Sequence, residues 1–123
     1  MEIVIGRMGG KMPGGWEIKV KGDSALLEHY ELGKKMVEQI VLTPNELNRI
    51  AHTIKQIRPE RIRMKHHHAH IDDKATSYLQ LKHGEYSVSL TEGASTQIRG
   101  KAGKDYVYLF NTVRDIVMAK VAK

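Results

Sequence analysis

Thr43-Pro44-Asn45-Glu46-Leu47-Asn48-Arg49-Ile50-Ala51-His52-Thr53-Ile54-Lys55-Gln56-Ile57 is the stretch on which the fold turns. The Thr43 hydroxyl can accept the Glu46 amide hydrogen while the Glu46 carboxylate reaches back to the Thr43 amide. That is a capping box, with proline at the first helical position. Leu47, Ile50, Ala51, Ile54 and Ile57 then recur at helical spacing and form one apolar stripe. Pro59 disfavours helical backbone in the residue before it. The signals predict a helix over Pro44–Ile57 that buries one face.

Upstream of this helix the hydrophobic period is two. Residues 2–7 alternate around Ile3 and Ile5, and Trp16, Ile18 and Val20 alternate with Glu17, Lys19 and Lys21. Between them residues 8–15, Met-Gly-Gly-Lys-Met-Pro-Gly-Gly, predict a loop. A turn at Gly22-Asp23 or Asp23-Ser24 leads to strands over residues 25–31 and 35–42, the second irregular enough at 37–41 to suggest a bulge or a buried edge. Downstream, residues 61–71 return to period two with Ile62 and Met64 on one side. Ser77, Leu79 and Leu81, a His83-Gly84 turn, then Tyr86, Val88 and Leu90 predict a hairpin. Residues 93–104 suggest a loop. Asp105 is placed to cap a last helix with the stripe Tyr106, Leu109, Phe110, Val113, Ile116, Val117 and Val121. The expected architecture is α+β: a curved antiparallel sheet of about five to seven strands, with two amphipathic helices packed on one face.

The chain has 123 residues, enough for a single domain spanning 1–123. Its 41% hydrophobic and 28% charged content is too apolar for disorder. The absence of cysteine excludes disulfide scaffolds and thiolate zinc sites. Residues 1–5 are too short for a signal-peptide core, and no apolar run approaches the roughly 20 residues of a membrane span. A cytoplasmic protein is therefore expected, with no membrane partner.

Three segments could carry chemistry. His66, His68 and His70 would share one face of a strand, continued by Asp72, and alternating imidazoles can chelate a metal. His68-x-His70-x-Asp72 resembles the opening of the metallo-β-lactamase motif, but Asp73 replaces that family's next histidine and the chain is too short for its fold. Lys55, Arg58, Arg61, Arg63 and Lys65 form the densest basic stretch, in a chain with 20 Lys plus Arg against 14 Asp plus Glu. Phosphates attract such charges, yet no aromatic residues interleave with them as a base-stacking platform would require. The glycine-rich segment lacks a Gly-Lys-Ser/Thr ending and runs between two strands, so it is not a phosphate loop. An exposed loop carrying Met8, Gly9, Gly10, Lys11 and Met12 suits entry into another protein's cleft.

The element order resembles a known family. A first strand entering Ile5-Gly6-Arg7-Met8-Gly9-Gly10, a return strand, Leu42-Thr43-x-x-Glu46-Leu47, a hairpin and a last helix are similar to the emfourins. These are small cytoplasmic bacterial inhibitors of protealysin-like metalloproteases. The resemblance implies that Gly9, Gly10 and their neighbours engage a protease cleft. Lys11-Met12-Pro13 stands where the family has an aromatic residue after Gly-Gly, and residues 25–42 form an extended strand region. The expected function is a non-catalytic module that binds another protein, a protease by resemblance, and needs no cofactor. Two alternatives compete with it: a metal-binding protein or enzyme built on the 66–72 cluster, and a nucleic-acid-binding domain using residues 55–65.

Overall fold

A computed structural model describes residues 1–9, 15–31, 34–63, 65–66, 75–93, 96–98 and 100–121. The capping box forms as expected. The Thr43 amide donates to Glu46 Oε1 at 2.8 Å and the Glu46 amide donates to Thr43 Oγ1 at 3.2 Å, opening α1 (Pro44–Ile57). Arg58 closes it in the left-handed region, its amide donating to the Ile54 carbonyl at 3.0 Å, and a 3₁₀ turn at Pro59–Arg61 follows.

Four strands precede α1: β1 (Glu2–Gly9), β2 (Gly15–Lys21), β3 (Ser24–Glu31) and β4 (Lys34–Val41). After it come β5 (Lys65–His66), β6 (Ala75–His83), β7 (Tyr86–Glu92), β8 (Thr96–Gln97) and α2 (Gly100–Val121). Six strands make an open antiparallel sheet in the order β4-β3-β2-β1-β6-β7, and β5 pairs with β8. The first four are successive hairpins. β6 then returns to the free side of β1, so β1 is paired on both sides from Glu2 to Met8.

Alternation decides what each face carries. Ile3 lies opposite Val20 and Leu81, Ile5 opposite Ile18 and Leu79, Ile18 opposite Leu27, and Ala25 opposite Ile40. All are buried, in one cluster with Ile50 and Ile54 of α1 and Tyr106, Leu109, Phe110, Val113, Ile116 and Val117 of α2. Trp16 meets Phe110 at a ring separation of 5.5 Å, and the Ser77 and Tyr106 hydroxyls share a 2.8 Å hydrogen bond.

Several expectations are corrected. Met8, Gly9 and Gly15 belong to strands, not to the loop, because β1 is paired with β2 as far as Met8–Gly15 and with β6 one residue further, as far as Gly9–Ala75. β4 holds no bulge: its register with β3 runs unbroken from Ser24–Val41 to Glu31–Lys34. Its irregular pattern reflects an edge strand exposed everywhere but at Ile40. Arg61 lies in the 3₁₀ turn and not in a strand. Of residues 61–71, Lys65 and His66 are the described strand residues. Helix α2 begins at Gly100, so Asp105 sits inside it and does not cap it. The small residues that suggested a loop serve close packing there: a Cβ on Gly103 would come 2.5 Å from the Ile98 carbonyl oxygen. On α1, Ala51 is exposed and Thr53 is buried instead, its hydroxyl donating to the Arg49 carbonyl at 2.8 Å.

Candidate functional site

Met8 lies opposite Gly15 on one side and Thr76 on the other, with its side chain 43% exposed at the end of the β1–β2 hairpin. Beside this end, Trp16, Leu27, His29, Tyr30, Met118 and Val121 line an apolar concavity of about 330 Å³. The packing of Trp16 on Phe110 fixes one wall of it, and Met118 at its rim is exposed. Gly9 ends β1. Gly10, Lys11 and Met12 lie outside the described residues.

The histidine cluster is divided. His66 is in β5 and pairs with Thr96 through the backbone, whereas His68, His70 and Asp72 lie outside the described residues. Among the described residues, no group of three or more His, Cys, Asp or Glu could hold a metal ion.

Among the described side chains of the basic stretch, Lys55 and Arg58 border one concavity with Glu60 and His83. Arg63 Nη1 turns back to donate to the Glu60 and Ile62 carbonyls at 3.2 and 3.4 Å. Arg58 and Arg61 line a second concavity of about 610 Å³ together with Lys101, Lys104 and Tyr108 of α2.

A further constellation joins residues that no motif linked. Glu17 and Glu28 lie directly opposite on β2 and β3, an arrangement that repulsion disfavours. Each is given a phenol and an ammonium. Tyr78 Oη donates to Glu17 Oε2 at 2.6 Å and Tyr30 Oη donates to Glu28 Oε2 at 3.2 Å. Lys19 lies 3.4 Å from Glu17 and Lys35 lies 3.6 Å from Glu28. Burial, and then the bond to Glu17, pushes the Tyr78 hydroxyl well above the ordinary phenol range. Its proton is thus held on oxygen as a donor. The result is a charge-balanced ladder on the sheet face opposite the buried cluster. A two-residue turn at Gly22-Asp23 sets the register that places Glu17 against Glu28, so that turn was the signal available in the sequence.

Against this geometry, no protein-family model matches the chain, and no curated protein matches its sequence. Among the described residues, no helix is long and apolar enough to cross a membrane.

Proposed function

We propose that the chain is a non-catalytic protein-binding module whose β1–β2 hairpin end enters the cleft of a protease. The observation that carries this reading is apolar surface on both faces of the hairpin end: exposed Met8 over Gly15 on one face, and the concavity walled by Trp16 and Met118 on the other. Thioether side chains are adaptable and suit a surface that must fit another protein. The similarity of the element order to emfourins supplies the class of partner, a protealysin-like metalloprotease of a bacterial cytoplasm. In this arrangement the sheet is curved, both helices lie on its Ile3–Ile5 face, and Met8, Gly9, Gly10, Lys11 and Met12 form the contact. Titration against a protealysin-type metalloprotease tests it. The protein should inhibit hydrolysis of a peptide substrate, and Met8→Glu should abolish inhibition with an unchanged melting temperature. Full protease activity at saturating protein, or undiminished inhibition by the variant, would refute it.

A further inference from the structure

The concavity between the end of α1 and the start of α2 is lined by four cations, Arg58, Arg61, Lys101 and Lys104, with Asp105 as the one carboxylate. Two come from a locked turn. The Arg58 amide donates to the Ile54 carbonyl, the Arg61 amide to the Arg58 carbonyl and the Ile62 amide to the Pro59 carbonyl, each at 3.0 Å, with Pro59 and Ile62 buried beneath. The other two project from the first turns of α2, where positions 101, 104 and 108 fall on one helical face. Lys101, Lys104 and the half-exposed ring of Tyr108 are therefore aligned.

Among the described residues none of these four cations is in an ion pair, whereas Lys19, Lys21, Lys35, Arg114 and Lys120 each are. Gathering like charges around a hollow raises the energy of the empty protein, and a polyanion relieves that repulsion. The size of the hollow, about 610 Å³, lies within the range of small-molecule sites. Paired guanidinium groups match phosphate oxygens in geometry as well as charge. We infer that this hollow binds a compact anion of two or three linked phosphates, either an inorganic oligophosphate or a nucleoside di- or triphosphate whose base stacks on Tyr108. Lys101 and Met118 lie seventeen positions apart on α2, about 25 Å along the helix axis. The site is therefore distinct from the hairpin end.

Isothermal titration of the full chain with sodium tripolyphosphate, and separately with a nucleoside triphosphate, tests the inference. Saturable one-to-one binding is expected, weakening as salt is raised. Arg61→Gln with Lys101→Gln should lower affinity by about tenfold or more, the worth of a charge-assisted hydrogen bond. Lys34→Gln with Lys82→Gln, which removes the same charge elsewhere, should leave it within about twofold, the span of screened surface charge. Circular dichroism of both double variants establishes that they are folded. Tighter binding of the nucleotide, with the difference abolished by Tyr108→Ala, supports a nucleotide ligand; equal binding supports the inorganic chain. Absence of saturable binding, or equal losses in the two double variants, overturns the site. A short single-stranded oligonucleotide that outcompetes tripolyphosphate overturns the compact-ligand assignment.

Discussion

The hydroxyl of Tyr78 on β6 reaches across β1 to donate a 2.6 Å hydrogen bond to Glu17 on β2. It does so by lying over Gly6, the residue of β1 paired with both. A Cβ at position 6 would collide with the Tyr78 ring and hydroxyl and would come 2.9 Å from the Trp16 carbonyl. Three strands are thus tied by one side chain, and only a glycine in the middle strand permits it.

Gly6→Ala should destabilise the fold by about 1–3 kcal/mol, the usual cost of overpacking a close contact. Tyr78→Phe should cost about 1.5–3 kcal/mol, since it removes a hydrogen bond to a carboxylate and keeps the ring. Denaturant titration of both variants measures the two losses. A Gly6→Ala protein as stable as the parent would mean that Tyr78 can leave its place without loss.

Ile54 of α1 and Phe110 of α2 are both buried in the common cluster. Each change to alanine should cost about 2–5 kcal/mol, as expected for large-to-small core substitutions. Equilibrium unfolding of the two variants measures this. Losses below about 0.5 kcal/mol, typical of surface positions, would contradict the packing.

Lys120 at the end of α2 sits 2.7 Å from Glu46 at the start of α1. The hydrogen bond from Lys120, and then the one from the Thr43 amide, pull the Glu46 carboxyl down from 4.5 to about 2. A depressed carboxyl binds fewer protons folded than unfolded, so its stabilisation is present above pH 4.5 and is lost as pH falls toward 2. Denaturant midpoints recorded over that window should fall in the parent and fall less in Glu46→Gln. Parallel profiles would show that the Lys120 contact does not couple to folding.

Tyr106 behaves with the opposite sign. Burial raises its hydroxyl from 10.0 to about 12, and the hydrogen bond with Ser77 partly opposes the rise. The folded protein then holds this proton where the unfolded chain has released it. The associated stabilisation is complete below pH 10.0 and is lost as pH rises toward 12. Tyr106→Phe should flatten the alkaline limb of the stability profile, and an unchanged limb would assign it to other groups. Tyr78, raised in the same direction, adds to the parent's loss.

Features whose causes are local were legible in the order of residues alone. The capping box and Pro59 bound α1 at Pro44 and Ile57, because both ends depend on contacts within a few residues. Period-two alternation located the apolar face of β2, and Gly22, at positive φ, turns its hairpin at Gly22-Asp23; Gly84, also at positive φ, opens a Gly84-Glu85 turn, one residue later than the expected His83-Gly84, because His83 still pairs with Tyr86. Tertiary structure alone decided the rest. The return of β6 to β1 follows from pairing between residues more than sixty positions apart, which no local pattern encodes. The first turn of α2 contains two glycines placed by the fold: Gly100 takes positive φ, and Gly103 lies against the Ile98 carbonyl, where a Cβ would come 2.5 Å from the oxygen. Arg58 and Arg61 meet Lys101 and Lys104 for the same reason: α1 and α2 share one buried cluster, and apolar burial, being non-directional, brings together charges that the sequence keeps forty residues apart.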